Sequence, residues 1–283
     1  MPLRILLCSD GSPTAASGEA LVRALGIQAH GTLDVLGVME PGHEAAPVEA
    51  TVRAMADGFR REGVAGDLLI RTGHAAEEIL AQAAAKSYDL VVVSSHGRRG
   101  LTRLRLGSTA SRLARDLPTS LLVSRGVLQH VDRVLICTGG EATALPMLDM
   151  GGAVAAAASA GVTLLHVMSQ VALSWDSPAD DLADTAQSAM ARNSREGAHL
   201  REGLDRLDRA GLRPKAVPRL RHGLVVDEVL AEIRESDQHL LVIGAHQPPA
   251  AASTYSSLLD DLAEQLLTHA PCSVLIVRAK RGD

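Results

Sequence analysis

The residues with the clearest chemistry in this 283-residue chain lie between Ser94 and Thr109. They read Ser94-Ser95-His96-Gly97-Arg98-Arg99-Gly100-Leu101-Thr102-Arg103-Leu104-Arg105-Leu106-Gly107-Ser108-Thr109. Gly97 and Gly100 allow a tight backbone path, and Gly107 stands just before a predicted helix that starts at Ser108. Amides at a helix start, with Ser and Thr hydroxyls beside them, form an anion site. Arg98, Arg99, Arg103, Arg105, Arg112 and Arg115 add six positive charges between 97 and 115, with no acid in that stretch. Types and spacing alone fit a phosphate cradle and a glycine loop with a solvated basic helix face about equally, because short glycine motifs recur by chance. Position has to decide.

The elements around the loop supply the position. Residues 3–9 are a continuous apolar run, as in a strand covered on both faces. Residues 14–29 read as an amphipathic helix, 32–39 as a strand, 44–63 as a helix and 66–71 as a short strand. A helix over 75–86, a strong strand over 88–95, a helix over 108–116 and a closing strand over 119–124 complete the series. Alternation of this kind predicts a doubly wound α/β fold, a parallel sheet with helices on both faces. Ligands of such sheets sit beyond the carboxyl ends of the strands, where strand order reverses. That rule singles out Ser9-Asp10-Gly11-Ser12, Val38-Met39-Glu40 and the segment from Ser94 to Ser108. The loop follows a central strand, which favours phosphate binding over the solvated-face reading.

The chain also repeats itself. Arg4-Ile-Leu-Leu-Cys-Ser-Asp10 matches Arg133-Val-Leu-Ile-Cys-Thr-Gly139 at an offset of 129. Gly73, Glu78 and Leu80 fall on Gly223, Glu228 and Leu230 at 150, as do Leu90–Val93 and His96 on Leu240–Ile243 and His246. Pro118 falls on Pro271 at 153. A kept order with a slowly drifting offset is a tandem duplication. It predicts two domains, 1–127 and 131–283, each with a five-stranded sheet, and a longer helical hairpin around 179–211 in the second.

On these residues the chain resembles a tandem member of the universal stress protein family. Members that bind ATP carry G-x-x-G, nine residues, then G-[S/T] after the fourth strand; here the pattern is Ser94-x-x-Gly97, nine residues, then Gly107-Ser108, with Ser94 in place of the first glycine. The resemblance implies a Rossmann-like fold of the adenine-nucleotide-binding type. It implies that Asp10 meets the nucleoside, that the backbone of Val38 meets adenine, and that the loop takes the phosphates. The expected site is therefore Ser9, Asp10, Gly11, Val38, Ser94, Ser95, His96, Gly97, Arg98, Gly107, Ser108 and Thr109, holding one ATP with or without Mg²⁺. The implied role is a stress-response regulator or sensor, with a slow ATPase and a nucleotide-free interaction scaffold as rival readings. Family domains pair through their last strands, which implies an intrachain pseudo-dimer through Ser120–Ser124 and Ser273–Val277. A homodimer of whole chains and a protein partner of unknown identity are further expectations. The other readings are that Asp10 caps the following helix or stabilises the turn Asp-Gly-Ser-Pro, and that His96 is a turn residue, since His246 persists in the other half.

The second half departs from the pattern. Gly139 stands at the position of Asp10, Gln247 replaces the second glycine, and 248–257 carry no positive charge. Counting back from the shared proline, Gly107-Ser108 falls on Asp260-Asp261, which places two carboxylates where phosphate oxygens would lie. Each such pair costs on the order of 4 kcal/mol at ~4 Å with an effective dielectric near 20, against ~8 kcal/mol for a micromolar ligand. Residues 1–127 hold 14 Lys+Arg and 13 Asp+Glu, whereas 128–283 hold 14 and 20. Only the first half suits a polyphosphate.

Composition sets the outer bounds. The net charge of −5 gives no case for nucleic acid or anionic membrane binding. The only aromatics, Phe59, Tyr88, Trp175 and Tyr255, are too few for base-stacking platforms. Cys8, Cys137 and Cys272 lie in or beside apolar runs and read as buried thiols of a cytoplasmic protein. No signal peptide is expected, because the apolar stretch Leu3–Cys8 is short and runs at once into Asp10. The uncharged stretch Met150–Trp175 is rich in Ala and Gly and reads as a buried helix running into a buried strand, not a membrane span. No metal site and no catalytic grouping is expected: Asp10 and Glu40 are the only acids on the predicted rim, and phosphoryl transfer needs placed bases and metal ligands.

Overall fold

The computed structural model describes residues 3–41, 45–95, 106–139, 141–168, 185–212, 215–245 and 254–279. The chain divides into two compact units. The first comprises Met1–His130 with Ser273–Ile276 and Lys280–Asp283; the second comprises Val131–Cys272 with Val277–Ala279.

The first unit runs β1 (Arg4–Ser9), α1 (Ala16–Leu25), β2 (Thr32–Met39), α2 (Ala45–Arg61), β3 (Leu68–Thr72), α3 (Ala75–Ala85), β4 (Leu90–Ser94), α4 (Ser108–Asp116) and β5 (Ser120–Ser124). Its strands are parallel in the order β3-β2-β1-β4-β5. Leu6 lies between Asp34 of β2 and Val91 of β4 in register. Helices on both faces leave Ile5, Leu6 and Leu7 with no exposure. Each such side chain contributes about 1.5–3 kcal/mol of transfer free energy. Helix α2 presents Val48, Val52, Met55, Ala56 and Phe59 to the sheet, a stripe at helical spacing, all buried. The predicted single helix over 14–29 is divided. A 3-10 turn, Pro13–Ala15, precedes α1, and a second, Ile27–His30, follows it. Ser12 starts the first turn by accepting a hydrogen bond from the Ala15 amide, with Pro13 next in the chain.

The second unit runs β6 (Arg133–Thr138), α5 (Glu141–Ala157), β7 (Gly161–Met168), α6 (Ala186–Arg192), α7 (Arg195–Arg209), β8 (Ala216–His222), α8 (Val225–Glu235), β9 (Leu240–Ala245) and α9 (Thr254–His269). Its strands are parallel in the order β9-β6-β7-β8. The stretch read as a buried helix running into a strand is α5 followed by β7. Among the described residues no helix is long and apolar enough to cross a membrane. The last strand, β10 (Ser273–Arg278), pairs antiparallel with β5, with Leu275 opposite Leu122, and its residues Ser273–Ile276 belong to the first unit. In the strand order β10 also neighbours β9, so the second half has the five strands expected of it, β10-β9-β6-β7-β8.

Polar ties recur at matching places. In the first unit Asp34, on β2, is 2 % exposed and accepts from Tyr88 Oη at 2.6 Å, Lys86 Nζ at 2.6 Å and the Asp67 amide at 3.0 Å. Burial pushes its carboxyl up, but Lys86, Tyr88 and the Asp67 amide together hold it below the usual range. In the second unit Thr163 and Gln238 stand at the matching positions, joined by one 3.2 Å bond. Both ties link the second strand of a unit to the turn before its fourth.

Candidate functional site

Strand β2 lies on one side of β1 and β4 on the other, so the order reverses between β1 and β4. Two chain segments leave the sheet there: 9–15 after β1 and the loop after β4.

The first segment is a set of hydroxyl and carboxylate turns. Ser9 Oγ accepts from the Gly11 amide at 3.1 Å. Asp10 Oδ1 accepts from the Ser12 amide at 2.9 Å and from Ser12 Oγ at 2.5 Å. This is an Asx turn, so the turn-stabilising reading of Asp10 holds. Gly11 has φ +69°, and a Cβ there would lie 2.7 Å from the Val48 Cα of α2. Only glycine meets both demands, and the first turns of α2 close over this loop as a result.

The second segment starts at Ser94 and Ser95. The Ser95 amide donates to the Ser124 carbonyl at 2.9 Å, and the Gly107 amide donates to the Ser95 carbonyl at 3.0 Å. Gly107 is the N-cap of α4, with extended backbone (φ −68°, ψ 150°) and no side chain to bond the first-turn amides. Its Cβ, if present, would lie 3.1 Å from the Ser95 carbonyl oxygen. Ser108 is exposed and Thr109 half-buried at this helix start. The helix begins at the residue the sequence indicates.

Ser94 carries its hydroxyl away from this loop. Its Oγ donates to the Ala15 carbonyl at 3.2 Å and accepts from Ser17 Oγ at 3.1 Å. Val38 ends buried in β2, paired in register with Arg71, one residue before Met39, whose carbonyl accepts from the Gly73 amide at 3.0 Å. Arg112 pairs with Glu77 at 3.2 Å and Asp116 at 3.6 Å along exposed surface, which fits a solvated face. His96, Gly97 and Arg98 lie outside the described residues.

The structure thus brings together the Ser9–Ser12 turn, the end of β2 and the start of α4. Burial pushes the Cys8 thiol up, so it stays protonated and is no nucleophile; the same holds for Cys137, with Cys272 and Glu232 adding to the effect. Among the described residues no group of three or more His, Cys, Asp and Glu is placed to hold a metal ion.

The second unit differs at each of these points. Gly139 has open space around it and no positive φ. Helix α9 starts at Thr254, so Asp260 and Asp261 lie within a helix and not at its first residue. The expectation that Asp260-Asp261 take the place of Gly107-Ser108, where phosphate oxygens would lie, is therefore corrected. Amides inside a helix are already bonded to carbonyls four residues back, so that stretch offers an anion nothing. In their place the second unit carries a group the sequence did not disclose. His166 Nδ1 lies 3.1 Å from the Thr138 carbonyl, and His199 Nε2 bonds Thr138 Oγ1. The two rings meet edge-on with centroids 5.4 Å apart.

The model of the universal stress protein family matches residues 1–125 and again residues 130–278. No curated protein matches the chain. Among solved structures, the chain is similar to a universal stress protein from Archaeoglobus fulgidus DSM 4304, with 17 % identity, 98 % of each chain covered and a TM-score of 0.66. It is similar to a putative universal stress protein from Pseudomonas aeruginosa UCBPP-PA14, with 16 % identity, 98 % of this chain and 93 % of that one covered and a TM-score of 0.67. A universal stress protein solved in complex with cAMP matches 52 % of this chain and 97 % of its own, at 28 % identity and a TM-score of 0.40. Two family matches in tandem, on a fold shared along nearly the whole length, place the chain in the universal stress protein family as a two-domain member.

Proposed function

We propose that the first unit binds one adenine nucleotide, ATP with or without Mg²⁺, and that the second binds none. The observation that carries this reading is the start of α4. Gly107 leaves the first-turn amides without a side-chain cap, beside Ser95 and at the reversal point between β1 and β4. A phosphate there accepts from the Ser108 and Thr109 amides and hydroxyls, at the positive end of the helix dipole. The Asp10 turn, across the crevice, serves the ribose, and the end of β2 at Val38 serves the base. A Cβ on Gly107 would press on the Ser95 carbonyl oxygen at 3.1 Å, so glycine lets α4 start close against the end of β4. In the second half Gly139 stands at the position of Asp10 and residues 248–257 carry no positive charge, which argues for a single site per chain.

On this reading the first unit recognises the nucleotide, and the output is a bound state that a partner reads. Calorimetric titration of the purified protein with Mg-ATP tests the reading. A stoichiometry near one supports it; two sites, or no heat and no nucleotide co-purifying, overturns it.

A further inference from the structure

Ser94 stands where the family pattern has glycine, and its hydroxyl belongs to a cluster beneath α1. Ser17 is 7 % exposed and Ser124 is fully buried. Ser17 Oγ lies 2.8 Å from Ser124 Oγ and 3.1 Å from Ser94 Oγ, and Ser94 Oγ lies 3.2 Å from the Ala15 carbonyl. Ser124 Oγ reaches Ser94 Oγ at 3.4 Å, and Ser17 Oγ has the Thr14 carbonyl at 2.9 Å as a second acceptor. Each hydroxyl has one proton to give. One arrangement uses every proton once: Ser124 donates to Ser17, Ser17 to Ser94, and Ser94 to Ala15. Chains of this kind strengthen one another at low dielectric.

The chain runs between the two segments of the crevice. Ala15 ends the 3-10 turn whose N-cap, Ser12, holds Asp10. On the other side, Ser124 accepts from the Ser95 amide, and Ser95 accepts from the amide of Gly107, the N-cap of α4. Hydrogen bonds, joined through the backbones of Ala15, Ser124 and Ser95, therefore tie the Asp10 turn to the α4 start, and the Ser94 hydroxyl is a link between β4 and the turn. A glycine would leave that link open.

We infer that Ser94 is a positioning residue: it fixes the separation between the nucleoside end and the phosphate end of the site without touching the nucleotide. This rests on the proposed site in the first unit. A ligand that spans both ends gains from their fixed spacing, because the two contacts then form with one loss of freedom. A ligand that uses one end gains nothing.

The test is titration of wild type, Ser94→Ala, Ser17→Ala and the double variant with three probes: ATP, adenosine and tripolyphosphate. Thermal unfolding of each variant checks that it folds. Ser94→Ala should weaken ATP about five- to tenfold, the effect of one lost hydrogen bond, and leave adenosine and tripolyphosphate within about twofold. Ser17→Ala removes the group that holds the Ser94 hydroxyl and should weaken ATP in the same direction, so the inference stays testable should Ser94→Ala not fold. The double variant should bind ATP no worse than Ser94→Ala, since the two act as one chain. Wild-type ATP affinity in Ser94→Ala overturns the inference and leaves the site standing, as does an equal loss for adenosine or full additivity. A wild-type protein that binds none of the probes overturns the site itself, and this inference with it.

Discussion

The Gly107 amide donates to the Ser95 carbonyl at 3.0 Å, so the two ends of the loop between β4 and α4 meet at the end of β4. The chain leaves the sheet and returns to it at one point. Whatever the intervening residues do, the start of α4 is anchored to β4 by the backbone. The first-turn amides of α4 therefore have a fixed place relative to the strand ends.

Gly107→Asp should separate helix stability from ligand binding. Aspartate is among the best N-cap residues, and its carboxylate would bond the first-turn amides and favour the helix dipole. The same bonds take away the donors a phosphate needs and add a like charge. The new Cβ also sits 3.1 Å from the Ser95 oxygen, which must give by a few tenths of an ångström. ATP affinity should fall at least about tenfold, while adenosine binding and the thermal midpoint change little. Unchanged ATP affinity would mean the phosphates lie elsewhere.

Gly11→Ala is a change of one methyl with a large expected cost. The residue would have to adopt φ +69°, and its Cβ would lie 2.7 Å from the Val48 Cα. The left-handed backbone alone costs about 1–2 kcal/mol, and the displacement of α2 adds to it. Urea denaturation should show a loss of about 2 kcal/mol or more. A loss below half of that would show that α2 moves away freely and is no fixed cover for the turn.

The Asp34 tie predicts an acid limb to stability. Its carboxyl is held below the usual range in the folded state, so its contribution is complete above ~4, the unfolded value, and is lost as pH falls through the lower folded value. Tyr88→Phe removes the 2.6 Å bond to Asp34 and should cost about 2 kcal/mol near neutrality. It should also start the acid loss at higher pH, because one of the groups holding the carboxyl down is gone. Denaturant midpoints at pH 7, 5, 4 and 3 would show both effects; parallel curves for the two proteins would refute them.

How far the sequence discloses all this depends on the kind of signal. Apolar runs such as Leu90–Val93 and stripes such as Val48–Phe59 report burial directly, and the elements of both units follow from them. The start of α4 at Ser108 was legible because glycine, serine and threonine mark a helix start by local chemistry. The earlier start of α9 was not, because Asp260-Asp261 was placed by counting back from a shared proline and helix length was free to differ. Asp34 was legible in principle: a carboxylate between Leu33 and Val35 in a buried strand requires partners. The hydroxyl chain through Ser17, Ser94 and Ser124 joins residues 77 and 30 positions apart, and no local pattern announces it. The same is true of His166 and His199, which β7 and α7 bring together only once the unit has folded.

That histidine pair carries a prediction of its own. Burial pushes the His166 imidazole below its ordinary value, and His199 and Arg195 push the same way, against the Thr138 carbonyl and Glu196. An unfolded chain takes up this proton near pH 6.5, whereas the folded one resists it until lower pH. The unfolded state then binds more protons across that window, so stability must fall as pH drops from ~6.5 to the folded value and level off below it. The slope for one full proton is about 1.4 kcal/mol per pH unit. His166→Asn keeps a donor for the Thr138 carbonyl and cannot titrate, so its stability should be flatter over the same interval. Urea denaturation of both proteins at pH 7.5, 6.5 and 5.5 isolates this one group, because every other histidine is common to the two. Equal losses on acidification would mean that His166 charges as easily folded as unfolded and would overturn the prediction.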